Sequence, residues 1–292
     1  MSDFEIFYID KRNLTEFSVL MTDNEFDIAL KNNDIYVGAR IFGIPVAYSR
    51  ISFRNSDTAV ISYLFVVAKY RRRGLATQIL HEILQNNSIK FVNKFLVEYR
   101  KEKNKHSAIE IFLENNGFCD KKLISVVCRT DFRILDAKWF DKVSIPEKFK
   151  VVKWSEVEDD LKENLCNDSQ KDDWERLRLS PFSDDCKDYF DLNSLCIIYE
   201  NNIIGWNITT KINEKTIRYS NLYVRSKYKK LGYSIALLGQ AIKIQQKYRP
   251  DMDCGLWCAS AENRQMVNFI TRRMFPYVDY IKYEYRMTYK KN

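Results

Sequence analysis

The chain has 292 residues, about twice the length of a common single domain, so two domains are expected. Apolar residues make up 46% and aromatics 14%, enough for two cores, and this composition excludes a disordered or fibrous chain. Forty-seven Lys and Arg against 39 Asp and Glu leave a formal charge of +8, spread along the sequence rather than gathered in a tail. Such a balance suits a polyanionic coenzyme, an acidic substrate or RNA, and equally suits plain solubility.

No apolar run reaches the ~20 residues that span a bilayer. The first residues lack the basic and apolar regions of a signal peptide, and a cytoplasmic location without membrane attachment is the expectation. Seven scattered cysteines form no C-x-x-C pair and read as reduced structural thiols. With only His81 and His106 besides, neither a metal centre nor a Cys-His nucleophile is expected.

In chain order, residues 4–9 read as a strand, and the mixed stretch up to Asn32 as one or two helices. Strand-like runs follow at 34–42, 45–53 and 59–67, broken at Gly43 and at 55–57, which predicts an antiparallel meander. Residues 75–86 put Ile79, Leu80, Ile83 and Leu84 on one face at helical spacing. A strand at 91–99, a helix at 106–115 stopped by Asn116-Gly117, and a strand region at 121–132 complete the first half. Residues 136–150 have no period and contain Pro146, so they read as a connection with a boundary near residue 145. The second half repeats the order, with strands at 194–199, 203–211 and 216–224, a helix carrying Leu237, Leu238, Ala241 and Ile242, a strand at 253–258 and a helix at 263–273.

The repeat is literal at one place. Leu64-Phe-Val66-Val67-Ala-Lys-Tyr70-Arg71-Arg72-Arg73-Gly74-Leu75-Ala76 returns as Leu222-Tyr-Val224-Arg-Ser-Lys-Tyr228-Lys229-Lys230-Leu-Gly232-Tyr233-Ser234, with every position displaced by 158 residues. Equal spacing across Ala47/Gly205 and Leu80/Leu238 excludes insertions through this core. A strand that runs into a basic, glycine-containing turn and then a helix grips phosphates, because the first helical turn leaves N–H groups without partners and carries the positive end of the dipole. Neither turn has the spacing of a P-loop or of a G-x-G-x-x-G fold.

The first turn, Arg71-x-x-Gly74-x-Ala76, resembles the coenzyme A motif of the GNAT N-acyltransferase superfamily, and Lys229-x-x-Gly232-x-Ser234 is a looser copy. The resemblance extends over the meander before the motif and over the strand and helix after it, in both halves. It implies two tandem α/β (α+β) domains, 1–145 and 146–292, each a mixed and mostly antiparallel sheet flanked by helices. It also implies acetyl-CoA as cosubstrate. Val66, Val67 and Val224 would bond the pantetheine arm through the strand, and residues 71–77 would cradle the diphosphate: Arg71, Arg72, Arg73, Gly74, Leu75, Ala76 and Thr77. Lys229, Lys230, Gly232, Tyr233 and Ser234 would do the same in the second half, where Asn263 fits a position that orders the coenzyme.

Acyl transfer to an amine needs a base for the amine and an acid or donor for the departing thiolate. In the family the acid is often a Tyr on the helix after the fifth strand. The corresponding positions here hold Leu113 and Ile270. The expected substitutes are Tyr99 as acid and Glu98 as base, although neighbours on a regular strand point to opposite faces. The resulting expectation is an N-acetyltransferase acting on a primary amine of a small molecule or peptide, with the N-terminal half as the active one. A degenerate acyl-CoA-binding or interaction protein and an aminoacyl-tRNA-dependent transferase are the alternatives. The acceptor and the oligomeric state stay open.

Overall fold

The computed structural model describes residues 4–86, 89–103, 105, 107–168 and 174–291. The elements are β1 (Phe4–Ile9), α1 (Leu14–Phe17), α2 (Asp23–Lys31), β2 (Ile35–Ile41), β3 (Ile44–Phe53), β4 (Thr58–Val66), α3 (Leu75–Gln85), β5 (Lys94–Lys101), α4 (Ala108–Asn115) and β6 (Cys119–Thr130). They continue with β7 (Lys150–Lys153), α5 (Asp159–Cys166), β8 (Leu195–Tyr199), β9 (Asn202–Asn213), β10 (Thr216–Val224), α6 (Tyr233–Tyr248), β11 (Cys254–Ser260), α7 (Arg264–Asn268) and β12 (Val278–Lys290).

Two compact units emerge, one of Met1–Leu123 with Glu284–Asn292, the other of Ile124–Tyr283. In the first, the sheet runs β1-β2-β3-β4-β5 and continues with the part of β12 from Glu284 onward. In the second it runs β7-β8-β9-β10-β11 and continues with the part of β6 from Ile124 onward. The meanders are antiparallel, and β4–β5 and β10–β11 are parallel pairs. The compact units therefore divide the chain elsewhere than the sequence boundary expected near residue 145. The physical reason for the return at Glu284 is burial: Met287 is 2% exposed in the first core, with Tyr285 and Tyr289 packed beside it.

Local sequence explains the helices. Thr22 and Glu25 form a reciprocal capping box that starts α2. Leu75, Ile79, Leu80, Ile83 and Leu84 are buried along α3, and Leu237, Leu238, Ala241 and Ile242 along α6, as the spacing predicts. Two elements differ from expectation. The fifth strand begins at Lys94 rather than at residue 91, because the N–H groups of Asn93 and Lys94 both turn to the Asp57 carbonyl. The helix expected over 263–273 is α7 for one turn only, after which Phe269–Met274 form a wider π-type turn that buries Ile270 and Met274. His106, at the start of the expected fourth helix, lies outside the described residues.

Met287→Ala is expected to destabilise the first unit by about 2–5 kcal/mol, the usual cost of truncating a buried Met. Urea unfolding measures it, and a midpoint equal to wild type would contradict the assignment of the last strand to this core.

Candidate coenzyme site

In the first unit β4 and β5 pair only at Thr58–Lys94, Ala59–Phe95 and Val60–Leu96. Beyond that the strands part, so the edge of β4 that faces β5 has no ladder partner from Ile61 to Val66. Buried or half-buried main-chain polar groups need partners, which makes this edge a place for a ligand that can bond like a strand. Val67 is less available than expected. Its N–H donates to the Val46 carbonyl at 2.9 Å and its carbonyl accepts from Tyr70 N–H at 2.9 Å.

A 3₁₀ turn over Ala68–Tyr70 then carries the chain to the basic corner. Arg71 Nε donates to the Val66 carbonyl at 2.8 Å, which ties the corner to the end of the strand. Arg72 has φ +63 and Gly74 φ +81, so two left-handed residues turn the backbone sharply before α3. A Cβ on Gly74 would meet only Gln78 Nε2, at 4.0 Å, which leaves the corner open to solvent. Arg71, Arg72, Arg73 and Gly74 are exposed, whereas the Leu75 side chain is buried and can offer a ligand only its backbone. Among the described residues, the N–H groups of residues 72–77, Ala76 and Thr77 included, have no acceptor, and α3 has no side-chain cap. Six amides without acceptors, running from Arg72 into the first turn of α3 beside the exposed Arg71, Arg72 and Arg73, make this corner able to take an anion.

The second unit keeps the parting of the strands. β10 and β11 pair from Thr216–Cys254 to Tyr219–Trp257 and then separate. A cleft of about 380 Å3 opens there, and Val224, Lys229, Ser234 and Asn263 all line it. Arg176, Leu177 and Leu179 supply another wall, from a segment that the sequence reading did not connect with the site. Its corner is more closed than the first. Gly232 has φ +77, but a Cβ there would lie 2.5 Å from Val143 Cγ1. Tyr233 is buried against Phe149 and Tyr228, Lys230 is exposed, and the N–H groups of Ile235 and Ala236 are both taken by the Gly232 carbonyl. Asn263 Oδ1 accepts from Met266 N–H at 3.1 Å and so caps α7 while it lines the cleft.

Glu98 and Tyr99 face opposite sides of β5, as strand alternation requires. Tyr99 is 5% exposed, stacks on Tyr285 and donates its hydroxyl to Met287 Sδ at 3.7 Å. Burial, helped by the nearby Glu110 and Glu114 charges, raises its pKa well above the ordinary phenol value. Glu98 lies on the exposed face. Its Oε1 accepts from Arg286 Nε at 2.8 Å and from an Arg286 terminal nitrogen at 2.6 Å, with Arg54 at 3.6 Å, and Oε2 has no ion-pair or hydrogen-bond partner among the described residues. Leu113 and Ile270, at the positions where the family often has Tyr, are both buried.

The sequence reading missed a charge cluster beside Tyr99, built on the buried Glu110. Glu110 on α4 is clamped by Lys101 and Lys121, whose ammonium groups also lie over the Tyr285 ring at 5.4 and 4.8 Å. The three charges come from β5, α4 and β6, so no spacing within one element announces them. No group of three or more His, Cys, Asp or Glu able to hold a metal ion occurs among the described residues, and no helix is long and apolar enough to cross a membrane.

Residues 4–110 match the model of the Acetyltransferase (GNAT) family. This stretch is a GNAT domain. Its matched span contains the whole Arg71 to Thr77 corner and the parting strands. Over the full chain, the structure is similar to a tandem GNAT protein from the clavulanic acid biosynthesis pathway, at 12% identity and TM-score 0.71, covering 98% of each chain. It is also similar to a GCN5-related N-acetyltransferase from Sphaerobacter thermophilus, at 16% identity and TM-score 0.65, covering 100% of this chain and 98% of the other. A third is a probable N-acyltransferase from Enterococcus faecalis, at 14% identity and TM-score 0.53, covering 99% of this chain and 73% of the other. The comparison with curated proteins gave no match. The chain has the tandem GNAT fold, and that fold supports acyl transfer from acetyl-CoA in general.

The charge cluster has a pH signature. Burial alone would raise the Glu110 pKa, but the hydrogen bonds and charges of Lys101 and Lys121 outweigh it and hold the carboxyl below its ordinary value of 4.5. A lowered folded-state pKa adds stability above the unfolded value and loses it as pH falls through the folded one. Glu110→Gln is therefore expected to be less stable than wild type at neutral pH, with the gap closing at acid pH, as pH falls below 4.5 and through the lowered folded-state pKa. Denaturant melts at both pH values test this, and a gap that stays constant would show that the carboxylate charge is not involved.

Proposed function

We propose that the protein is an N-acetyltransferase that moves the acetyl group of acetyl-CoA to a primary amine of a small molecule or peptide, with the coenzyme seated in the first unit. The observation that carries this reading is the open corner of residues 72–77, where six amides lack acceptors beside three exposed arginines. The diphosphate would accept from those amides, and the pantetheine arm would extend along the edge of β4 from Ile61 to Phe65, short of the Val66 carbonyl that Arg71 holds. The thioester then lies where β4 and β5 part.

The neutral amine attacks the thioester carbon, a C–N bond forms, the C–S bond breaks, and the coenzyme leaves as thiolate. A thiolate with pKa near ~8.5 can depart without a dedicated acid, which suits a site where Leu113 occupies the usual Tyr position. Glu98 is the proton acceptor we assign, through Oε2 and directly or by way of a water, with Arg286 fixing the other oxygen. Tyr99, buried and engaged with Met287, fits a packing role better than an acid.

One observation favours a second reading. The cleft of about 380 Å3 in the second unit gathers Val224, Lys229, Ser234 and Asn263, and would suit a coenzyme there instead. Calorimetric titration with acetyl-CoA separates the two. Gly74→Asp and Gly74→Asn place nearly isosteric side chains into the same open, left-handed position, and only the first adds charge. Gly74→Asp should bind about tenfold more weakly than Gly74→Asn, or ~1.4 kcal/mol, while Ser234→Asp and Ser234→Asn bind alike. The reverse pattern would move the coenzyme to the second unit, and no heat from wild type would end the acetyl-CoA reading.

A further inference from the structure

The second unit keeps a roomy cleft beside a corner that is poorly placed to take a diphosphate. Val143 Cγ1 stands 2.5 Å from where a Cβ on Gly232 would lie, and Tyr233 is packed against Phe149 and Tyr228. Ile235 N–H, the counterpart of the Thr77 N–H that lacks an acceptor in the first unit, donates to the Gly232 carbonyl at 3.0 Å. The cleft itself holds about 380 Å3, a size at which apolar walls with a few converging polar groups take a small molecule.

Its lining sorts by chemistry. Leu177, Leu179, Leu222, Leu238, Met266 and Phe269 are buried or half-buried and give the cleft apolar walls. Three cations, Arg176, Lys229 and Arg264, line it against the one carboxylate of Glu262. Arg176, Arg264 and Glu262 are exposed and mark the mouth, whereas Lys229 is half-buried with its ammonium 5.0 Å from the centre of the Tyr223 ring. Leu177, Leu179, Leu222 and Met266 also line an adjoining space of about 30 Å3 that reaches Trp257 and Ile270, with room for the tip of a chain. The wall is fixed in advance. Trp206 Nε1 donates to the Leu179 carbonyl at 2.9 Å and Asn221 Nδ2 to the Ser180 carbonyl at 2.6 Å, which holds the segment of Leu177 and Leu179 against β9 and β10.

An excess of positive charge around the cleft selects a ligand with an anionic end, and the leucine walls select an aliphatic body. We infer that this cleft binds an aliphatic carboxylic acid, its carboxylate at Lys229 and the mouth arginines and its chain along Leu177, Leu179 and Leu222. The inference rests on the reading above that acetyl-CoA sits in the first unit, so that the protein carries coenzyme and acid at once, one in each unit. Binding of the acid is reversible and changes no covalent bond.

Octanoate is the probe, and octanol is its uncharged control. Both are titrated calorimetrically into the full chain, with and without saturating acetyl-CoA, and into Lys229→Met, Lys229→Arg and Leu177→Trp. Octanoate should bind wild type with the same affinity whether or not acetyl-CoA is present. Lys229→Met keeps the alkyl stem and removes the charge, and should weaken octanoate about tenfold, the scale of one charge-assisted hydrogen bond, while octanol is unaffected. Lys229→Arg should restore octanoate binding, and Leu177→Trp, which fills the cleft, should weaken both probes. Octanoate that fails to bind wild type, or that binds no better than octanol and ignores Lys229→Met, would overturn the inference and leave the acetyl-CoA reading standing. Displacement of octanoate by acetyl-CoA would make the cleft the coenzyme's seat and overturn both. If acetyl-CoA gives no heat while octanoate keeps its dependence on Lys229 and Leu177, the coenzyme reading alone fails.

Discussion

Parallel strands that separate after only a few shared residues leave polar main chain that the protein cannot satisfy from within, and most of what this chain can do follows from that. In the first unit the separation begins after Val60 and Leu96, and in the second after Tyr219 and Trp257. In the first unit the end of β4 without a ladder partner leads through the corner to a helix start whose amides lack acceptors among the described residues. A ligand with a strand-like amide arm and an anionic end answers both needs at once, and a pantetheine diphosphate has that form.

Duplication has kept this arrangement while the surroundings diverged. Basic turn and left-handed glycine recur in the two units. What changed is access. Gly74 stands open with three exposed arginines, whereas Gly232 is backed by Val143 and the next residue, Tyr233, is folded into an aromatic cluster. The second unit has a cleft of about 380 Å3 at the end of β10, walled in part by Leu177 and Leu179. One unit has the better anion cradle and the other the better defined slot, which is why the location of the coenzyme has to be measured in both.

Much of this was legible in the sequence because it is local. The meander strands, the buried faces of α3 and α6, and the two glycine corners all depend on residues close together in the chain, and spacing reveals them. The contributions of distant segments were not legible. Met287 enters the first core from the far end of the chain, Val143 closes the second corner from a stretch without period, and Glu110 meets lysines from two other elements. The helix expected over 263–273 failed for a related reason, since the π-type turn that buries Ile270 and Met274 answers to packing and not to helical propensity. Glu98 and Tyr99 were found on opposite faces, as alternation demands, but the arginine that engages Glu98 lies 188 residues away.

The central claim is that the amides of residues 72–77 await a diphosphate, and amide NMR reads those groups directly. Spectra of the full chain, labelled with 15N, would be recorded with and without acetyl-CoA. The account predicts that the largest shifts and the slowest hydrogen exchange on binding fall on residues 72–77. Saturating acetyl-CoA that leaves these resonances unmoved while shifting others would contradict it.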